Sequence, residues 1–149
     1  MITSTLNNRL NKRIVKSVAA MHEFGSDFYQ SLQLPAVCYF NGQLGAGKTT
    51  FIQGLLQSCC RDVVVTSPTY NLVHEYEFDA IKVYHFDLYR LNSPEELDEL
   101  GVRDMLHDNS LLLIEWPEMG EGFLPPADHV VTITVNSEQS REILVTQCG

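Results

Sequence analysis

Apolar residues fall into three patterns along the chain. Leu6, Leu10, Ile14, Val18 and Met21 recur at helical spacing and predict an amphipathic N-terminal helix within residues 1–34, broken by Gln33-Leu34-Pro35. Two runs are apolar without alternation, Val37-Cys38-Tyr39-Phe40 and Leu111-Leu112-Leu113-Ile114, as expected of strands buried on both faces. Between them, residues 50–60 carry Phe51, Leu55 and Leu56 at helical spacing. Val63-Val64-Val65 leads into Thr66-Ser67-Pro68-Thr69, which reads as a turn with proline at its second position. Residues 70–78 and 81–86 are strand-like and separated by Asp79-Ala80, which predicts an antiparallel hairpin.

Asn92-Ser93-Pro94-Glu95 has Ser at a helix cap, Pro at the first position and acids in the first turn. That helix carries Leu97 and Leu100, with a second short piece after Gly101 holding Val102, Met105 and Leu106. Residues 117–126 form a Gly/Pro-rich loop, and the alternating stretches 129–135 and 142–146 predict a closing hairpin. The expectation is a single α/β domain over 1–149 with a mixed sheet flanked by helices, residues 1–34 packing on it as a helical segment.

The stretch between the first buried strand and the first core helix supplies the chemistry. Gly42-Gln43-Leu44-Gly45-Ala46-Gly47-Lys48-Thr49 fits G-x-x-x-x-G-K-[ST], the phosphate-binding P-loop, in the strand–loop–helix context that the motif requires. Glycines let successive N–H groups turn inward as an anion nest, and the helix start adds its positive dipole end. Lys48 can reach the β- and γ-phosphates, and the Thr49 hydroxyl can ligate Mg²⁺. Two carboxylates end apolar runs: Asp87 after Val83-Tyr84-His85-Phe86, and Glu115 after the run 111–114. A carboxylate there is costly unless solvated, paired or near a metal. Glu115 follows the purer run and is expected to hold Mg²⁺ through its water shell; Asp87 would bind the metal or orient the attacking water. Thr69 offers a hydroxyl from the segment where other P-loop proteins carry a γ-phosphate switch, although a plain proline turn explains it equally well. His85, inside an apolar strand, reads as a core or edge histidine, Arg90 as a solvated strand end, and Trp116 as a buried anchor near the site.

Composition narrows the reading further. A chain of 149 residues with 44% hydrophobic content can bury a real core but has little room for an acceptor domain. No apolar stretch is long enough for a membrane span, and no signal-peptide core is present. The first 22 residues lack acids and carry Arg9, Lys12, Arg13 and Lys16; that suits a transit peptide or a basic helix, and the helix is expected because the first strand needs cover. A net charge of −9 disfavours a direct grip on nucleic acid, so such a role would run through a protein partner. Cys38, Cys59, Cys60 and Cys148 form no C-x-x-C pair, which fits a reduced, cytosolic chain without a zinc site. Asp98-Glu99-Leu100-Gly101 matches D-x-x-G in a helical setting and is coincidental. Asn11-Lys12 lacks the following Asp of a guanine pocket, so ATP is expected over GTP.

With these pieces placed, the chain resembles the bacterial tRNA threonylcarbamoyladenosine biosynthesis ATPase family TsaE (YjeE). Four blocks carry the resemblance: GQLGAGKTT at 42–50, SPTY at 67–70, YHFDLYR at 84–90 and EWP at 115–117. It covers residues 39–145, nearly three quarters of the chain; one family position, often acidic, is Gln43 here. The resemblance implies a cytosolic Mg²⁺-ATPase acting with the two-protein TsaB and TsaD type transferase complex, and meeting tRNA through that complex. ATP would contact Gly42, Leu44, Gly45, Ala46, Gly47, Lys48, Thr49, Thr50, Thr69 and Arg141, the last resembling a family arginine near the base. Metal would lie at Thr49, Glu115 and Asp87, with Asp87, Glu115 and Lys48 catalytic. Two alternatives use the same P-loop: a small-molecule kinase, disfavoured by few and scattered arginines, and a nucleotide-gated binding module in which hydrolysis is incidental.

Overall fold

The two runs without alternation become the middle of a sheet. β2 (Ala36–Asn41) and β5 (Ser110–Glu115) pair in parallel, Ala36 opposite Leu111 and Phe40 opposite Glu115. The computed structural model describes residues 11–66, 68 and 71–148. Among these, seven strands form one sheet in the order β1-β7-β6-β2-β5-β4-β3. Both predicted hairpins are present, one on each side of the β2–β5 centre. β3 (Val73–Glu77) and β4 (Lys82–Asp87) are antiparallel, with β4 parallel to β5. β6 (His129–Ser137) runs parallel to β2 and turns back as β7 (Ser140–Gln147). The mixed α/β sheet is therefore the architecture that the pattern predicts.

Period-two alternation along the central strands splits their apolar side chains between two cores. Cys38, Phe40, Leu111 and Leu113 face α1 (Val18–Ser31) and α2 (Lys48–Gln57), whereas Val37, Leu112 and Ile114 face α3 (Glu96–Leu100) and the 3-10 turn Val102–Met105. Covering both faces explains why the strands carry no polar alternation. Among the described residues, no helix is long and apolar enough to cross a membrane.

The expected helix through residue 14 is not what forms. β1 (Lys12–Val15) pairs antiparallel with β7, Ile14 opposite Glu142 and Val15 opposite Arg141. Val15 enters the core, while Ile14 and Val18, placed on the expected apolar face, are 54% and 64% exposed. Ser17 then caps α1, its hydroxyl accepting from the Ala20 N–H at 3.0 Å. Lys12 pairs with Glu142, and Arg13 with Asp27 and the Phe24 ring, so these bases have structural partners. Leu6, Leu10 and Arg9 lie outside the described residues.

A second correction concerns the helix after Pro94, which begins at Glu96. The Ser93 hydroxyl donates to the Glu95 carboxylate instead of capping a backbone N–H. The Glu96 carboxylate reaches back to the N–H groups of Asn92 and Ser93, half of a capping box.

The cysteines are all free. Cys38 is buried in β2, and burial drives its thiol far above the ordinary range. A disulfide reagent should therefore label exposed Cys60 and Cys148 first and half-buried Cys59 more slowly. Cys38 should react after denaturant is added; rapid labelling of Cys38 in the folded protein would contradict this packing.

Candidate functional site

The loop 42–49 leaves the end of β2 and feeds α2. Gly45 and Gly47 take φ of +80° and +114°, the positive-φ region that glycine adopts without a Cβ penalty; Gly47 is a motif glycine, and Gly45 occupies one of its variable positions. Gly47 is also the cap of α2 and supplies no side-chain partner, so the N–H groups of the first turn remain for an anion. Two cavities flank the loop and share Gly45, Gly47 and Thr50. One, of about 250 Å³, also reaches Lys48, Thr49, Asp87, Glu115 and Trp116. The other, of about 300 Å³, lies between the start of α1 and the β6–β7 hairpin and includes Met21, Glu138 and Arg141.

Parallel pairing of β4 with β5 brings Asp87 opposite Glu115 in register. Glu115 is 2% exposed, and the Thr49 hydroxyl points at its Oε2 from 3.4 Å, a long contact. Asp87 is half-buried, and its Oδ1 accepts from the Tyr89 N–H at 3.1 Å. Burial raises its carboxyl above the usual range; the Tyr89 N–H opposes that shift and the Glu115 charge adds to it.

Lys48 is buried beside them. Its Nζ donates to the Gly42 carbonyl at 2.5 Å and sits 3.7 Å from the Trp116 ring centroid. Burial pulls the ammonium below the ordinary lysine range, against Glu115, Asp87 and Glu118. Trp116 holds φ 57°, ψ 50°, the one described non-glycine residue at positive φ, and its ring packs 5.0 Å from Tyr89. That geometry costs roughly 1 kcal/mol and directs the ring over the lysine.

The predicted residues are thus mostly brought together. Lys48, Thr49, Asp87 and Glu115 line one cavity with Leu44, Gly45, Gly47 and Thr50. Ala46 lines the other, and Gly42 contributes its carbonyl. Arg141 reaches the Ala46 carbonyl with Nε at 3.1 Å, and its Nη1 binds the Ser137, Glu138 and Ser140 carbonyls. It ties the loop to the hairpin. Thr69, Ser67 and Tyr70 lie outside the described residues; Arg90 is exposed and does not line either cavity.

Sequence reading missed two contributions. His85 is not a passive core histidine: it is fully buried, with Nε2 2.6 Å from Glu115 Oε2. Its place two residues before Asp87, hence on the same strand face, was the available signal. Residues 15–18 and Met21 form a cavity wall, hidden because the β1–α1 junction resembled unbroken helix.

Thr49, Glu115 and Asp87 offer hard oxygen donors on one wall. Among the described residues no group of three His, Cys, Asp or Glu is close enough to cage a metal. A few protein oxygens with room for water and phosphate is the donor set that suits Mg²⁺.

Comparison with known proteins agrees with this architecture. The family model "Threonylcarbamoyl adenosine biosynthesis protein TsaE" matches residues 15–143. A Haemophilus influenzae protein named tRNA threonylcarbamoyladenosine biosynthesis protein TsaE is 44% identical over 133 residues, covering 86% of this chain and 84% of the relative. The Bacillus subtilis protein of that name is 32% identical over 145 residues, covering 97% and 84%. The crystal structure of YdiB from Bacillus subtilis superposes with a TM-score of 0.75 at 25% identity, covering 93% of this chain and 85% of that one.

Proposed function

Because the chain belongs to the TsaE family of tRNA threonylcarbamoyladenosine biosynthesis, we propose that it is the Mg²⁺-dependent, ATP-hydrolysing subunit of that modification, made beside the anticodon. The observation that carries this reading is the convergence of Lys48, Thr49, Asp87 and Glu115 on one cavity at the P-loop. The partners are the TsaB and TsaD type transferase proteins. A chain of net charge −9 would meet tRNA through them, in the cytoplasm, as a single domain.

In this reading the triphosphate lies along residues 42–50, with γ-phosphate in the Glu115 cavity and the base toward Arg141. Lys48 exchanges the Gly42 carbonyl for phosphate oxygens. Thr49, Glu115 and Asp87 would hold Mg²⁺ or its water shell, and Asp87 would also be placed to orient the attacking water. Bound Mg²⁺ supplies charge neutralisation of the β- and γ-phosphates. Thr69 contributes a hydroxyl from the switch-like segment. Arg141 holds the loop through Nε and Nη1, bonded to the Ala46, Ser137, Glu138 and Ser140 carbonyls, and lines the cavity assigned to the base.

The test is Mg²⁺-dependent phosphate release from ATP, by the protein alone and with the two transferase proteins added. Slow release that rises with the partners is expected; release indifferent to them would overturn the subunit reading. Glu115→Ala should lower hydrolysis about 100-fold while changing ATP affinity little. Collapse of binding with unaltered Mg²⁺ dependence would refute its assigned role.

A further inference from the structure

The His85–Glu115 pair is the shortest polar contact made by the Glu115 carboxylate, and it is fully enclosed. His85 is 0% exposed, Nε2 is 2.6 Å from Oε2, and the Thr49 hydroxyl is further away at 3.4 Å. Two bare lone pairs would repel at 2.6 Å, so a proton lies between the atoms. The other ring nitrogen, Nδ1, is buried with no hydrogen-bond partner among the described residues. Were the proton on Glu115, Nε2 would accept and Nδ1 would bear a buried N–H without a partner; with the proton on Nε2, Nδ1 keeps only a lone pair, which costs less. The histidine is therefore a donor aimed at one carboxylate oxygen.

We propose that His85 is a positioning residue for Glu115: Nε2–H donates to Oε2, fixing the carboxylate so that Oε1 addresses the cavity. No described residue donates to Oε1, and Glu115 lines the cavity with Lys48, Thr49 and Asp87. The same bond ties β4 to β5 two residues before Asp87, so it also sets how the two carboxylates face each other. Partners behind a ligating group commonly act this way, orienting it and keeping it a good acceptor. The functional consequence rests on the hydrolytic reading above; the donor geometry does not.

Two measurements separate them. Long-range proton–nitrogen NMR of the full chain without nucleotide should show His85 protonated at Nε2 and bare at Nδ1; the opposite tautomer would overturn the proposal. In kinetics, His85→Leu keeps apolar volume without a donor, and His85→Gln restores an N–H at similar reach. With folding checked by thermal melting, the Leu variant should lose about 10- to 100-fold in kcat with ATP affinity changed less than about threefold. The Gln variant should recover most of that loss. In a Glu115→Ala background, His85→Leu should cost nothing more. Equal losses in folded Leu and Gln variants, or wild-type kcat in both, would refute positioning. If the unmodified protein fails to hydrolyse ATP while the ε-tautomer is observed, the hydrolytic reading falls and the donor geometry stands. Should His85→Leu not fold, the tautomer and the Gln variant still decide.

Discussion

Replacing Lys48 with alanine is expected to weaken ATP binding about 100-fold and abolish hydrolysis, with the ligand-free fold intact. In the absence of nucleotide the ammonium already bears a burial cost, seen in its lowered pKa, and is held by the Gly42 carbonyl and the Trp116 ring. Removing it loses those contacts and also the cost, so the net effect on stability should stay within about 1 kcal/mol. On phosphate the balance differs, because charge-assisted bonds to the β- and γ-oxygens contribute roughly 3 kcal/mol, about two decades of affinity. Trp116 reports the exchange. It is the single tryptophan of the chain, and a lysine leaving its face changes its surroundings. Titrating ATP against Trp116 emission should give a saturable change in the wild type and almost none in Lys48→Ala at matched concentrations. Unchanged affinity in calorimetry would refute the P-loop assignment.

The central sheet was legible because its strands have an unusual signature. Uniformly apolar runs at 37–40 and 111–114 are too short for helices and fit strands buried on both faces, and short polar links made both hairpins plain. β1 was not legible. Four residues give too few alternations to outweigh Ile14, Val18 and Met21, whose spacing fits a helix although two of them face solvent. One element end also moved. α2 starts at Lys48, where the motif puts it and where left-handed Gly47 serves as its cap, but it closes at Gln57, short of the expected end near residue 60.

The site divides in the same way. Local spacing carries the P-loop, and each carboxylate is visible at the end of its apolar run. That Asp87 and Glu115 stand side by side depends on β4 lying next to β5, a pairing across 28 residues that no local pattern encodes. Arg141 illustrates the limit. Its partner carbonyl at Ala46 is 95 residues away, so family resemblance pointed to the residue while geometry supplies what it does. His85 was within reach of period-two reasoning, since His85 and Asp87 share a strand face.

Gly54→Ala should destabilise the fold by about 2 kcal/mol or more, and Gly25→Ala similarly. A Cβ on Gly54 would stand 2.3 Å from the His22 carbonyl oxygen and 2.4 Å from its Cα. One on Gly25 would stand 2.2 Å from the Phe51 oxygen and 2.9 Å from the Leu55 nitrogen. These are backbone atoms that no rotamer change can move, so α1 and α2 must separate. Alanine gains roughly 1 kcal/mol of helix propensity at either position, which the clash outweighs. Separation also opens the Phe24, Phe28 and Phe51 cluster, whose ring centroids sit 5.6 and 5.7 Å apart across the two helices. Exposed Glu23→Ala on α1 serves as control and should shift stability by less than about 0.5 kcal/mol. Urea melts of the three variants measure this directly. Because α2 starts in the phosphate loop and α1 starts in the cavity beside Arg141, the glycine variants should also bind ATP more weakly. A Gly54→Ala midpoint equal to wild type would show that the helices do not cross backbone to backbone, and would remove the link from α1 packing to the nucleotide site.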